Sequence, residues 1–144
     1  MNYFSSNEDD DNLKNVLKVV FGILFTGAVV AGLLTNYKQE TLICSKFQDT
    51  CYIEKVNLVN QKTRKFLVKF SQIDKVGFLR QRVKGNRYAI GYSSYLLTFI
   101  LKNNNPVVIF SADYYEKTEL EKDIKNLNYQ MINSSDKIIL NRDI

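Results

Sequence analysis

Histidine is absent from this chain of 144 residues, and proline occurs only once. Without histidine the polypeptide cannot form Ser-His-Asp or Cys-His nucleophile pairs, bind zinc or haem through imidazole, or use imidazole in acid–base catalysis. Few glycines and a single proline argue against long flexible linkers. The remaining residues include no catalytic constellation and no phosphate-binding glycine loop. We therefore expect one domain that is not an enzyme and holds no cofactor or metal.

The charges are ordinary in number but unevenly distributed. Twenty lysines and arginines against fifteen acids give a formal net charge of +5. Residues 8–11 form an acidic run, whereas eleven basic residues between Lys55 and Lys102 stand against one acid, Asp74. The middle of the chain is therefore strongly cationic.

Charged residues are also missing from one long apolar run, VVFGILFTGAVVAGLLTNY at positions 19–37. A helix of these nineteen residues spans about 28 Å, close to the ~30 Å hydrocarbon core of a bilayer. Lys18 and Lys38 bracket the run. The sequence therefore predicts a transmembrane helix, with the chain divided into an acidic polar tail at 1–15, the helix at 16–37, a domain at 38–132 and a C-terminal tail at 133–144.

A cleaved secretory signal is the competing interpretation of the apolar run. Signal cores usually have about 7–15 residues behind a basic start and end at a small-x-small site. Here an acidic stretch precedes the run, which continues past Ala31-Gly32 into Leu33-Leu34. We therefore expect a membrane anchor. The positive-inside rule does not orient it, because lysines flank both ends at similar distances (Lys14, Lys18, Lys38 and Lys46).

Small residues recur four apart on the predicted helix, a spacing that lets a second helix approach closely in lipid. They are Gly27, Ala28, Ala31 and Gly32. The alternative is that glycine and alanine are simply common in membrane helices. On a lone anchor, the pattern favours helix–helix packing with a partner.

Beyond residue 38, apolar and polar residues alternate, which is the pattern of β-strands. A tight-turn composition at Lys84-Gly85-Asn86 predicts a hairpin between two of them. The predicted strands cover residues 42–46, 50–59, 65–70, 76–83, 87–91, 95–101 and 107–110.

The apolar period then changes to that of a helix. Apolar residues spaced by four, three and four on a charged background form one face of an amphipathic helix. They are Leu120, Ile124, Leu127 and Met131. Asp113 followed by Glu116 is similar to a capping box at its start. Strands followed by one helix predict an α+β fold, an antiparallel β sheet or partly open barrel closed by one C-terminal amphipathic helix.

Four stretches carry a resemblance to a known fold: Leu42-Ile43-Cys44, Cys51-Tyr52-Ile53, Lys84-Gly85-Asn86-Arg87-Tyr88 and Glu119-Leu120-Glu121-Lys122-Asp123-Ile124. In spacing and apolar positions the chain resembles the pleckstrin-homology-like (PH-like) domains of small uncharacterised bacterial proteins with an N-terminal membrane anchor. The resemblance covers residues 41–132. It implies a PH-like fold and no activity, because such folds host many functions.

Cys44 and Cys51 lie symmetrically about a predicted turn, between Leu42 and Ile53. We expect the two side chains to be neighbours on the first hairpin, where opposed Cα atoms are about 4.5–5.5 Å apart and within reach of a disulfide. Two reduced cysteines, buried as small apolar residues, are the alternative. A metal site is disfavoured, because two thiols do not complete a tetrahedral set. A disulfide would place the domain in an oxidising compartment, outside the cytosol.

Basic residues of the middle of the chain form two groups, one around the predicted hairpin and one on the strand before it. They are Arg80, Arg82, Lys84 and Arg87, and Arg64, Lys65 and Lys69. In a membrane-tethered domain they are candidates for contact with anionic lipid headgroups, at roughly 1 kcal/mol per basic residue, or with an acidic protein surface. A solvated sheet face is the alternative. No nucleic acid is expected, since no recognition motif is present.

These features predict a single-pass membrane protein with a non-catalytic interaction module, an accessory or assembly subunit of a larger membrane protein complex. Its partners would be the lipid bilayer and other membrane-protein subunits. The alternative is a PH-like domain that binds anionic lipid through the basic hairpin 80–87. The side of the membrane is left open, with the extracytosolic side favoured if the cysteines are oxidised.

Overall fold

The computed structural model describes residues 7–85, 87 and 90–144, and the side chains from Leu13 onward. Two helices and seven strands form within this part of the chain, and Phe70–Gln72 make one 3₁₀ turn. In chain order the elements are α1 (Asn7–Thr35), β1 (Tyr37–Ser45), β2 (Thr50–Asn57), β3 (Lys62–Val68), β4 (Ile73–Val83), β5 (Tyr92–Leu101), β6 (Pro106–Val108), α2 (Lys117–Asn133) and β7 (Lys137–Asp143).

Helix α1 carries the apolar run of the sequence. Its segment Leu13–Thr35 has 23 residues with a mean hydropathy of 2.2, and it is long and apolar enough to cross a membrane. The most apolar part of this segment is 0% buried. The rest of the described chain therefore does not cover this apolar surface. The helix begins at Asn7, so the prediction of a polar tail as far as residue 15 is wrong from residue 7 onward.

The strands form two antiparallel sheets, with the strand orders β3-β2-β1-β7 and β4-β5-β6. The predicted α+β class, the N-terminal apolar helix, the antiparallel strands and the C-terminal helix are confirmed. The strands form two sheets where the sequence predicted one sheet or a partly open barrel, and the barrel stays a prediction. The strand predicted at 87–91 does not form at the described residues Arg87, Ile90 and Gly91. The predicted turn at 84–86 includes Asn86, which lies outside the described residues.

The last strand corrects the prediction of a C-terminal tail. Lys137–Asp143 form β7, which pairs with β1 in register from Gln39↔Asp143 to Ser45↔Lys137. Ile138 and Leu140 alternate inward and are 1% and 5% exposed. The strand forms because β1 offers an unpaired edge beside the core, and pairing there buries both side chains.

The first hairpin and α2 build the core. Leu42, Cys44, Cys51 and Ile53 are all buried, as their mirrored positions about the turn suggest. The apolar face predicted for α2 is confirmed, since Leu120 and Leu127 are buried and the other two residues are partly buried against the same core. The predicted capping box is wrong, because α2 begins at Lys117 with Glu116 as its N-cap and no side-chain cap.

The domain has two ends, which we call the helix end and the tip end. At the helix end, β1 begins two residues after α1 stops, and the Ile144 amide donates to the Lys38 carbonyl at 3.0 Å. At the tip end, the β1–β2 turn meets the C-terminus of α2. There the Lys46 ammonium donates to the carbonyls of Met131 (2.8 Å) and Ser134 (2.6 Å), groups that the helix itself leaves without partners.

Candidate interaction surfaces

The outer half of the β4–β5 hairpin exposes the side chains of β4. The two strands pair without interruption from Val76↔Phe99 to Val83↔Tyr92. On β4, Val76 is buried, but from Phe78 onward every residue to Val83 is exposed, whichever face its side chain occupies. We call this outer half, residues 78–83 with 92–95, the ribbon. Because the β4 side chains of the ribbon are exposed on both faces, they are available to a partner.

Three of the predicted site residues lie together on or beside the ribbon. Arg80 and Arg82 stand on one face of β4, opposite Tyr95 and Ser93, and the guanidinium of Arg80 donates to the Ser93 hydroxyl at 3.0 Å. A cleft of about 710 Å³ is lined by these side chains and by Lys84 and Tyr92, with no acid among its lining residues. Among the described residues, no ion pair involves Arg80, Arg82, Lys84 or Arg87. The ribbon therefore presents unneutralised positive charge.

The other basic group lies on a different sheet. Arg64 is on β3, where its Nε donates to Glu54 Oε2 at 2.8 Å and its guanidinium lies 5.1 Å from the Tyr52 ring centroid. Lys62 reaches the same carboxylate at 3.1 Å. Hydrogen bonds from Arg64 and then Lys62 lower the pKa of Glu54. This basic group and the ribbon therefore lie on different sheets. Arg64 is bound by Glu54, while Lys65 and Lys69 are exposed.

The hairpin that carries the ribbon starts at the tip end of the domain. Just before β4, the Ser71 amide and hydroxyl donate to the two carboxylate oxygens of Asp49 in the β1–β2 turn, at 2.6 and 2.9 Å. These hydrogen bonds lower the pKa of Asp49. Asp49 itself has a φ of 52°, a left-handed conformation that aspartate tolerates in turns.

The ribbon leaves the domain near its helix end. Tyr95 and Tyr114 exchange backbone hydrogen bonds of 2.8 and 2.7 Å. The neighbouring Asp113 carbonyl accepts from the Arg142 guanidinium at 2.6 Å, and Arg142 pairs in register with Glu40, near the start of β1. Since β4 begins at the tip end and its outer half departs at this point, the ribbon runs towards the end of the domain that carries α1.

A polar cluster that the sequence analysis did not identify joins the two sheets. Glu40 on β1 is fully buried, forms an ion pair of 2.5 Å with Lys55, and accepts hydrogen bonds from the Ser111 amide (2.7 Å) and hydroxyl (2.5 Å). Burial raises the pKa of Glu40, but the hydrogen bonds from Lys55 and Ser111 outweigh it and the net pKa lies below its ordinary value. No periodic pattern marks Glu40, which lies just before the strand predicted at 42–46.

Tyr114 and Arg142 complete this cluster. The buried Tyr114 hydroxyl donates to Asp123 on α2 at 2.7 Å, and the Arg142 guanidinium lies 3.3 Å from the centroid of its ring. Burial, with the Asp123 hydrogen bond, raises the pKa of Tyr114. The hydroxyl thus stays protonated. These side chains contact both sheets and α2, so the arrangement can hold the layers together.

The first hairpin contains a disulfide. Cys44 and Cys51 are directly opposed in the register, with Cα atoms 4.0 Å apart, and their buried sulfurs are bonded. Among the described residues, no three cysteine, aspartate or glutamate side chains converge as a metal site. The bridge closes a short loop, with a sequence separation of 7.

Within the described part of the chain, the small residues of α1 are open to a partner. An added Cβ at Gly27 or Gly32 would have nothing within 4 Å, and Ala28 and Ala31 are exposed. The packing role suggested for these four residues therefore stays a prediction.

Comparison with protein-family models, with curated proteins and with solved structures found no significant match. The function is therefore inferred from the surfaces described above, and the PH-like resemblance stays a prediction.

Proposed function

We propose that this protein is a single-pass, membrane-anchored, non-catalytic interaction module, an accessory or assembly subunit of a larger membrane protein complex. The observation that carries the proposal is the ribbon. It presents exposed apolar and basic side chains on a two-stranded arm, while the rest of the domain buries its polar cluster and its core. A PH-like fold belongs to the same proposal.

The uncovered surface of α1 supports the anchor. Apolar side chains such as Phe21 and Phe25 are 70% and 72% exposed, an arrangement that water disfavours and hydrocarbon favours. With the chain anchored in this way, the proposed partner of the ribbon is a protein of the same membrane. A ribbon of this composition, with arginine, tyrosine and phenylalanine, has the side chains that are enriched in protein interfaces.

Crosslinking and native mass analysis of the protein extracted in mild detergent test the proposal. The ribbon variant Arg80→Ala/Arg82→Ala/Lys84→Ala should lose its partner. The matched control Lys122→Ala/Lys125→Ala/Lys137→Ala removes the same charge from exposed positions elsewhere and should keep it. A wild-type protein that is strictly monomeric and copurifies with nothing would contradict the proposal.

Anionic lipid is the second candidate partner for the ribbon, because the ribbon runs towards the end of the domain that carries α1. Basic residues near a bilayer contribute roughly 1 kcal/mol each when the surface is anionic. The chain contains no tryptophan, so Ile90→Trp, at a position 94% exposed, gives a single reporter in vesicles. A blue shift only with anionic lipid, lost when Arg80 and Arg82 become alanine, supports this candidate. Identical emission in neutral and anionic vesicles rejects it.

The disulfide supports an extracytosolic domain, because such bonds persist in oxidising compartments. Thiol labelling of vesicles that are prepared without reductant and then unfolded in denaturant tests this placement, because both cysteines are buried in the folded domain. Failure to label Cys44 and Cys51 before reduction agrees with it. Two reactive thiols in the native membrane would place the domain on the reducing side.

A further inference from the structure

Helix α1 is joined to the domain by direct contacts and no spacer. The Asn36 amide continues the helix by donating to the Gly32 carbonyl at 3.1 Å, and β1 begins at the next residue. The β2–β3 turn then closes on the helix end. Its Leu58 amide donates to the Asn36 carbonyl at 3.2 Å, and the Asn57 side-chain amide donates to the Leu34 carbonyl at 3.3 Å.

Asn57 also holds the turn in shape. This residue is 3% exposed, and its side-chain oxygen accepts from the amides of Val59 (3.2 Å) and Gln61 (2.8 Å). Lys38, just after the helix, donates to the Asn60 side chain. The turn is therefore fixed against the end of α1 by side-chain contacts as well as by backbone hydrogen bonds.

The tip of this turn is apolar and exposed. Leu58 and Val59 are 47% and 43% exposed, although they sit between polar asparagines on a surface turn. Lys38, which donates to Asn60 of the turn, and Lys62, at the start of β3, are exposed beside this tip. Tyr37 is half-buried at the start of β1. Aliphatic tips flanked by lysine and tyrosine are typical of the membrane–water interface, where apolar groups enter the acyl boundary and lysines reach the headgroups.

We infer that the Leu58–Val59 turn is a second membrane contact, seated in the interfacial layer of the lipid bilayer beside the exit of α1. The inference rests on the proposed membrane anchor. If Leu34 lies in the bilayer, a turn bonded to the Leu34 and Asn36 carbonyls lies at the bilayer surface, because the interfacial layer is about 5–8 Å thick. With two contacts, the domain cannot turn freely about α1, and this fixes where the ribbon is presented.

Single-tryptophan variants of the full chain, reconstituted in phosphatidylcholine vesicles that carry a mixture of lipids brominated near the headgroup end and near the methyl end of their acyl chains, test the inference. The reporters are Leu58→Trp and Val59→Trp in the turn, Phe25→Trp in α1, and Phe47→Trp at the tip end, a position 92% exposed. Two turn positions are used so that one poorly folding variant does not decide the result. We expect the turn and α1 reporters to lose emission to the brominated lipid, and Phe47→Trp to keep it.

The outcomes separate the two proposals. Quenching of Phe25→Trp without quenching of either turn reporter would overturn the second contact and leave the anchor standing. Absence of quenching at Phe25→Trp would overturn the anchor, and the turn inference with it. Blue-shifted but unquenched emission from the turn would mean that protein covers Leu58 and Val59, which also overturns the lipid contact. As a positive check on geometry, Asn57→Ala should reduce quenching at Leu58→Trp while leaving Phe25→Trp unchanged.

Discussion

Two antiparallel hairpins of this domain have similar strands and opposite surroundings. The β1–β2 hairpin is paired on both of its outer edges, by β7 and β3, and its side chains form much of the core. The β4–β5 hairpin has one free edge on β4, and the ribbon projects from it with β4 uncovered on both faces. Two hairpins with equally regular pairing therefore differ in whether their side chains are buried or exposed.

The tip of the first hairpin is also tied down chemically. Asp136 accepts hydrogen bonds from the Phe47 amide at 3.0 Å and the Ser45 hydroxyl at 2.8 Å, and these lower its pKa. Lys46 donates to the end of α2. The disulfide joins the second strand pair from the turn. Among the described residues of the ribbon, the side-chain hydrogen bonds that leave β4 are those from Arg80 to Ser93. We therefore expect mutations to separate the two hairpins by their effect on stability.

The largest difference should come from equal truncations in the two hairpins. Leu42→Ala leaves a cavity in the core and should lower the free energy of unfolding by about 3 kcal/mol. Leu79→Ala, at a ribbon position 38% exposed, should change it by less than about 1 kcal/mol. Urea unfolding of the full chain in detergent, followed by circular dichroism, measures both. Similar losses would mean that the ribbon is packed as tightly as the core.

The disulfide should rank next. Removing it by Cys44→Ala/Cys51→Ala should lower the free energy of unfolding by about 2.5 kcal/mol, the value expected for a short closed loop. The wild-type protein unfolded in reductant is the matched control and should show a similar loss. If neither treatment shifts the urea midpoint, the bond does not stabilise the hairpin.

The buried Glu40 carboxylate, which pairs with the partly exposed Lys55, should make the domain sensitive to acid. Because the folded pKa of Glu40 lies below its ordinary value of 4.5, its contribution is complete above about pH 4.5 and is lost as the pH falls through the folded pKa. Glu40→Gln should lower the free energy of unfolding by about 2 kcal/mol near neutral pH. It should also make the free energy of unfolding depend less on pH in the acid range.

The control is Asp74→Asn, which removes an exposed carboxylate from β4. It should change neither the free energy of unfolding at neutral pH nor its dependence on pH. Urea midpoints measured from pH 7 down to about pH 3 report the slope. An acid dependence in Glu40→Gln equal to that of the wild type would contradict the assignment.

Lys46 should have a smaller effect. Lys46→Met keeps the apolar stem but removes the cation from the last carbonyls of α2, and should cost about 1 kcal/mol. Lys125→Met, on the exposed face of the same helix, should be neutral within about 0.5 kcal/mol. Amide exchange in the last turn of α2 should speed up only in the first variant. Equal exchange in the two would leave Lys46 without a capping role.

The smallest expected effect on stability belongs to the ribbon cations. Arg80→Ala/Arg82→Ala should change the free energy of unfolding by less than about 0.5 kcal/mol, because both side chains are exposed and neither forms an ion pair among the described residues. The same variant should nevertheless lose the binding partner in crosslinking. Stability lost in parallel with binding would show that these arginines are structural.

The local sequence pattern was sufficient to predict those elements in which neighbouring residues share one environment. The uncharged run of α1, the spacing from Leu120 to Met131 in α2 and the mirrored apolar pairs around the first turn all follow from the period of the element that contains them. The membrane-length helix, the amphipathic helix and the opposition of Cys44 to Cys51 could therefore be anticipated from the printed residues alone.

Tertiary structure decided the rest, because it brings together residues that are far apart in sequence. Lys137–Asp143 becomes a strand only where the free edge of β1 receives it, about a hundred residues away. Glu40 is stabilised by Lys55 and Ser111, and Arg64 is paired with Glu54. The partners that a charged side chain meets across the sheets therefore decide whether it is buried, paired or exposed. Charge and hydropathy identify the candidates for binding. Burial and pairing across the sheets decide which cations are engaged, as Arg64 is, and which stay exposed without an ion pair among the described residues, as Arg80 and Arg82 do.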